Sequence, residues 1–214
     1  MIKIAASLHS GPKINLEKVL QQLAEAKVDF LHIDVMDSNF VNEIEFGKSI
    51  VKEISQHSKI PLDIHMMVES PERILKDYAL PTTQTIGIHI EATNHIHRIL
   101  TMIKNLNKKA EVIINPGTAI ETIKPVLNLV DQVMIMSVDP GFGGSTFINS
   151  SIERVKQLND LRQKYNYHYQ IEVDGSVDNN NLKELIDAGV DIAVSGSFIF
   201  KGNIIEQVKK LKSL

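Results

Sequence analysis

The sequence predicts an α/β chain whose eight parallel strands close into a single (β/α)8 barrel. Three observations carry that expectation. Short apolar runs, most of them rich in Ile and Val, alternate with amphipathic stretches along all 214 residues. No linker, low-complexity tract or shift in composition interrupts them, so residues 1–214 are expected to form one domain. Third, the strand candidates carry polar residues near their C-terminal ends. Strands of an open sheet covered on both faces should read apolar throughout, whereas a barrel carries its site at the strand C-termini.

The strand candidates, in order, are "IKIAAS" (2–7), "FLHIDVM" (30–36), "LDIHMMV" (62–68), "TIGIHIE" (85–91), "AEVIIN" (110–115), "QVMIMSV" (132–138), "YQIEVD" (169–174) and "DIAVSG" (191–196). About eight helices are expected between and after them. "NLEKVLQQLAEAK" places Leu16, Val19, Leu20 and Leu23 on one face. "SPERILKDYAL" opens with Ser70 as N-cap and Pro71 in the first turn. "SSIERVKQLNDLRQKY", "DNNNLKELIDAG" and "NIIEQVKKLKSL" follow the same rule, and Gly189 reads as a C-cap.

Composition narrows the function classes. A net charge of -3, with no basic run interleaved with aromatics, gives no reason to expect nucleic acid or an acidic membrane as partner. The absence of cysteine excludes disulfides, thiolate ligands and a cysteine nucleophile. No stretch approaches the length of a membrane span, and a cytoplasmic location follows by default. A homo-oligomer is left open.

Alternation along a strand puts His32, Asp34 and Met36 on one face. Asp63, His65 and Met67 share a face in the third candidate, His89 and Glu91 in the fourth, Glu172 and Asp174 in the seventh. Burying a carboxylate without a partner is costly. His32, Asp34, His65 and Asp174, meeting at the barrel mouth, would form a mixed nitrogen and oxygen donor set. Such a set suits one divalent ion: zinc, iron(II), manganese or cobalt. Other polar residues read more plainly. A lone strand histidine is usually a hydrogen-bonded core or surface group, and His89 and His95 are taken so. His57 and His97 are expected to face solvent, and Asp37 to close a turn. The glycine-rich segments "SVDPGFGGSTF", "VDGS" and "VSGSFIF" follow strands six, seven and eight. Gly143, Gly144, Gly175, Ser176, Gly196 and Ser197 can present backbone N–H groups to a phosphate.

The ordered segments "LHIDVMD", "DIHMMVESPE", "HIEAT", "NPGT", "MSVDPGFGG", "IEVDGSV" and "SGSFIF" together resemble the ribulose-phosphate 3-epimerase family over nearly the whole chain. The resemblance implies a phosphorylated 2-ketose substrate, inverted at carbon 3, and a divalent metal. It implies His32, Asp34, His65 and Asp174 as metal ligands, with Asp34 and Asp174 as the acid–base pair. Ser7 and His65 would contact substrate, and Met36, Met67 and Met136 would pack beneath it. Gly141, Phe142, Gly143, Gly144, Gly175, Ser176, Gly196 and Ser197 would grip its phosphate. Around the reacting end the chain departs from the pattern. His9 follows Ser7 where apolar residues are usual. Ser38, Asn39, Asn42 and Glu43 replace a glycine, a histidine, a proline and an asparagine. Ser176 and Ser145 replace a glycine and a glutamine. The resemblance therefore extends to the allulose-6-phosphate 3-epimerases. A sugar-phosphate-binding barrel without catalysis would want a lost ligand, and none is seen. A Schiff-base aldolase would want a lysine at a strand end, and no strand candidate has one there. His9 aims at the mouth if the first strand continues that far, and faces solvent if it already lies in the loop.

Overall fold

The computed structural model describes residues 2–141 and 143–214. The chain runs β1 (Lys3–Ser7), α1 (Leu16–Glu25), β2 (Phe30–Asp37), β3 (Ile44–Glu45), α2 (Lys48–His57), β4 (Leu62–Met67), α3 (Leu75–Tyr78) and β5 (Thr83–His89). It continues through α4 (Ile96–Asn105), β6 (Lys109–Ile114), β7 (Gln132–Met136), α5 (Ser150–Tyr165), β8 (Gln170–Asp174), α6 (Leu182–Ala188), β9 (Ile192–Ser195), α7 (Ser197–Phe200) and α8 (Ile204–Lys212). Eight strands form a closed ring in the order β1-β9-β8-β7-β6-β5-β4-β2, with β2 paired back to β1. Every pairing in the ring is parallel. The expected (β/α)8 barrel is the fold observed.

Period-two alternation sorts the strand residues. Ile4, Ala6, Leu31, Ile33, Leu62 and Ile64 point outward and are fully buried against the helices, among them Leu23 of α1 and Val51 of α2. Burying each large aliphatic side chain contributes about 1.5–3 kcal/mol, so this layer supplies most of the stability. Inside the ring the apolar content is small. Ala5, Phe30, Ile192 and Val194 form one cluster, and Ile113, Met134, Met136 and Val138 another. Polar side chains occupy much of the remaining interior.

A recurring Val-Asp pair fastens the N-terminal end of the barrel. Asp29, Asp131 and Asp191 each stand just before a strand, preceded by Val28, Val130 and Val190. Asp29 accepts from Ile4 N, Asp131 from Ala110 N, and Asp191 from Ile171 N, at 2.8, 2.9 and 2.8 Å. Each carboxylate thus satisfies a backbone N–H of the neighbouring strand, and each is paired with a cation: Lys212, Lys104 and Arg162 respectively.

The helices depart from the expectation at two places. Between β6 and β7 the chain makes two 3-10 turns, Ile120–Thr122 and Lys124–Val126, in place of an α-helix. Pro125 lies at the start of the second turn, where its missing N–H bars one continuous helix through both turns. After β4, Ser70 does precede a turn with Pro71 at its start, but Ser70 is left-handed (φ 51°) and its side chain makes no cap. The turn Pro71–Arg73 leads into a helix of only four residues. Gly189 ends α6 in the left-handed conformation expected (φ 111°).

Candidate active site

The parallel register of β2 and β4 sets Asp34 beside His65 and His32 beside Asp63. From β8, Asp174 reaches the same point. The inward-facing donors converge tightly. His32 Nε2 lies 3.2 Å from His65 Nδ1, 3.5 Å from Asp34 Oδ1 and 3.8 Å from Asp174 Oδ2. His65 Nδ1 lies 3.4 Å from Asp34 Oδ1 and 3.5 Å from Asp174 Oδ2. Each of the four residues offers a ligand atom within 4.8 Å of all the others. A tetrahedral ion with bonds of about 2.1 Å separates its ligands by about 3.4 Å. The observed spacings bracket that length, so these residues fit a divalent ion.

The outer contacts of the two imidazoles leave those inward nitrogens free to ligate. His32 Nδ1 donates to Asp63 Oδ2 at 2.7 Å, which places the lone pair on Nε2. His65 Nε2 lies 2.8 Å from His89 Nε2, and His89 Nδ1 lies 3.3 Å from Glu91 Oε2. Burial pushes His89 down to about 4, so its ring is neutral at pH 7 and carries one proton. Glu91 can only accept: against partial desolvation, His89, Thr118 and the Asn115 N–H hold it down to about 2. The His89 proton therefore sits on Nδ1, His65 donates from Nε2, and His65 Nδ1 presents its lone pair to the cluster.

Electrostatics agree with a cation at this point. Burial opposes charge on His32, yet the carboxylates of Asp34 and Asp63 raise it well above its ordinary value. His65 is raised too, against burial, by Asp174 and Asp34. Burial likewise opposes ionisation of Asp34, but His32 and His65 hold it well below the usual carboxylate range. Ser7 Oγ fixes its other oxygen with a 2.8 Å hydrogen bond.

Above this cluster opens a pocket. Its walls hold Ser7, Asp34, Met36, Met67, Met136 and Asp174. Gly141, Gly143, Gly144, Gly175, Ser176, Gly196 and Ser197 line the same pocket. The site residues expected from the sequence are thus brought together, with His32 and His65 fully buried beneath the opening. Phe142 lies outside the described residues. Gly175 shows why the lining needs glycine. Its φ is +122°, and a Cβ there would stand 2.8 Å from Val138 N.

A model of the ribulose-phosphate 3 epimerase family matches residues 3–200. A ribulose-phosphate 3-epimerase of Aquifex aeolicus is 40% identical over 212 residues, covering 99% of this chain and 96% of that protein. One from Helicobacter pylori is 41% identical over 200 residues, covering 94% and 91%. This chain belongs to the ribulose-phosphate 3-epimerase family. Membership places it among isomerases that act on carbohydrate phosphates. Solved structures extend the likeness in fold alone. A 3-hexulose-6-phosphate synthase superposes with a TM-score of 0.71 at 14% identity, covering all of this chain and 99% of that one. A mutant tryptophan synthase α-subunit from Pyrococcus furiosus gives 0.73 at 14%, covering all of this chain and 98% of that one.

Several residues of this epimerase-family site escape the sequence reading. His89 is a hydrogen-bonded buried residue, as expected of a lone histidine, but its partner is His65. Glu91 is not a strand residue; it lies in the turn Ile90–Ala92 and reaches His89 from there. Glu111 and Gln132 join Asp63 and Glu172 in a fully inward polar layer below the cluster. The signal for that layer was the isolated Glu and Gln in otherwise apolar runs. His9 lies in the 3-10 turn Leu8–Ser10, so the strand does not continue to it, yet it lines the pocket. His57, His95 and His97 are exposed. Asp37 accepts from the backbone N–H groups of Asn39, Phe40 and Glu69 and closes the turn.

Proposed function

We propose that the chain is a metal-dependent 3-epimerase that interconverts D-ribulose 5-phosphate and D-xylulose 5-phosphate. The observation that carries this reading is the convergence of Asp34 and Asp174, from β2 and β8, on one imidazole nitrogen of His65. Inversion at a carbon needs an acid–base group on each face. The two carboxylates enter from separate strands and both line the pocket. One takes the proton from carbon 3; the other delivers a proton to the opposite face. Ser7 holds the Asp34 carboxylate in place for that exchange.

His32, Asp34, His65 and Asp174 would hold the divalent ion, whether zinc, iron(II), manganese or cobalt. When bound, such an ion stabilises the negative charge that develops beside the reacting carbon. Met36, Met67 and Met136 offer an apolar floor that keeps water from the carbanion-like carbon. The backbone N–H groups of Gly143, Gly144, Gly175, Ser176, Gly196 and Ser197 are the proposed phosphate grip.

A second reading, D-allulose 6-phosphate as substrate, draws on the residues around the reacting end that depart from the family's pattern, among them Ser38, Asn39 and Asn42. The retention of both carboxylates and both imidazoles weighs against a barrel that only binds sugar phosphate. An epimerisation assay on both sugar phosphates, with and without chelator, tests the proposal. Turnover of ribulose 5-phosphate is expected to exceed that of allulose 6-phosphate and to fall on chelation. Asp174→Asn is expected to lower kcat by ~10²–10⁴-fold, while exchange of the carbon 3 proton with solvent continues through Asp34. Near wild-type turnover in that variant would remove Asp174 from the mechanism.

A further inference from the structure

A second charged group stands at the mouth of the pocket, and two of its members, His9 and Glu43, are residues at which the chain departs from its family's pattern. His9 turns its ring back onto the pocket wall. Nδ1 is hydrogen-bonded to Glu45 of β3. Lys13 Nζ holds the other Glu45 oxygen at 2.8 Å. Nε2 faces Glu43 Oε2 at 3.8 Å, beyond hydrogen-bond reach. A Cβ at Gly143 would lie 3.5 Å from that same nitrogen. One imidazole therefore joins the turn after β1, the β3 edge and the glycine loop after β7.

The anchoring fixes what the ring offers. Glu45 can only accept, so Nδ1 carries a proton. The Glu45 hydrogen bond raises His9 above its ordinary value, against burial and with help from Asp34. In the imidazolium, Nε2 carries a proton as well and has no hydrogen-bonded acceptor among the described residues. Lys13 and His9 already neutralise Glu45, so this group does not require a cation of its own.

The position of Nε2 in the pocket suggests an acceptor. Asp34 and Asp174 line the pocket together with His9, and so do Gly143, Gly175 and Gly196. The His9 ring is near enough to Asp34 to feel its charge, and its Nε2 lies 3.5 Å from where a Gly143 Cβ would stand. We propose that His9 is a specificity-determining residue, whose Nε2–H donates to a sugar-chain hydroxyl between the reacting carbon and the phosphate. The inference rests on the epimerase reading of the site. A ketopentose phosphate held at both the carboxylates and the glycine loops is expected to place a hydroxyl at this donor. A ketohexose phosphate, longer by one carbon, shifts it away.

The test compares wild type, His9→Leu and His9→Gln, with metal content and Tm recorded for each. KM and kcat are measured on ribulose 5-phosphate, and Ki for allulose 6-phosphate as competitor. Expected for His9→Leu is a 10- to 100-fold rise in KM for the pentose phosphate, about what one charge-assisted hydrogen bond supplies. Ki for the hexose phosphate should rise by much less. His9→Gln, which keeps a donor, should recover part of the pentose affinity. Equal changes in KM and Ki, or none, overturn the inference. Should His9→Leu fail to fold, Glu45→Gln loosens the ring's anchor and must raise KM over Ki in the same sense; no change there overturns it too. Absence of epimerisation in the wild type would instead overturn the reading of the site, and with it this inference.

Discussion

His89 shows how a residue outside the ligand set can govern it. A neutral imidazole has one proton and one lone pair, and its two contacts decide where each lies. Glu91 claims the proton of Nδ1, so Nε2 must accept from His65. That in turn bares the His65 nitrogen that faces Asp34 and Asp174. Loss of such an outer contact typically costs 10–100-fold in metal affinity. His89→Leu is expected to weaken binding of zinc or manganese by about that factor. Titration of chelator-treated protein with the metal alone measures it. Wild-type affinity in the variant would show that His65 keeps its orientation unaided. The four inward donors were legible because each alternates with outward aliphatics on its own strand. His89 also alternates, but nothing in its strand says that its ring meets another histidine. That contact depends on the relative height of β4 and β5, where the register slips between Leu62 and Asp63.

At the scale of the element, the strands were legible to within about two residues because their aliphatic faces must pack against helices. The β3 edge was not. Two residues are too few to show a period, and Ile44, exposed at 81%, gives no burial pattern. The same holds for the turns between β6 and β7, where Pro125 cuts short what the alternation leads one to expect. The Val-Asp pairs are an element-level device of another kind. The valine is buried, while the aspartate ties the strand it precedes to its neighbour. At β9, Asp191 Oδ2 accepts from Ile171 N at 2.8 Å and is also paired with Arg162. Arg162 donates further to Tyr169 O and Gly189 O. Asp191→Ala leaves the Ile171 N–H and this guanidinium without their shared acceptor. It is expected to cost about 1–3 kcal/mol, read as a fall in the urea midpoint with unchanged slope. A smaller loss at Asp131→Ala is expected, since Asp131 is paired with an exposed lysine that is worth little. Equal losses would mean that the backbone hydrogen bond alone matters.

The barrel as a whole carries a consequence of its polar interior. Below the candidate metal cluster lie Asp63, Glu111, Gln132 and Glu172, all buried. Gln132 Nε2 donates to Glu111 at 2.9 Å and also to Glu172. Among the described residues, Asp63 Oδ1, Glu111 Oε2 and Glu172 Oε1 have no hydrogen-bond partner. Gly87 on β5 makes room for this layer, since a Cβ there would overlap the Glu111 carboxylate and stand 2.7 Å from Ile113 Cδ1. Burial, and then the charge of Asp63, pushes Glu111 up to about 8. Burial, followed by Asp63 and Glu111, raises Glu172 well above its ordinary value. Glu111 therefore holds its proton at neutral pH, when the unfolded chain does not. The sign follows from linkage. With the folded pKa above the unfolded one, stability is full below about 4.5 and declines until pH passes about 8. The decline from Glu111 is of order a few kcal/mol. Glu111→Gln removes that titration while preserving a neutral polar group of the same shape. The variant is expected to gain stability relative to wild type as pH rises from 5 to 9, with its advantage largest at the alkaline end. Urea unfolding across that range, on protein freed of metal so that ligation does not move with pH, measures it. A gap between variant and wild type that stays constant from pH 5 to 9 would show that Glu111 is ionised in the folded barrel. The buried carboxylate charge would then have to be balanced by His32 and His65, the two imidazoles that already lower Glu111 from above.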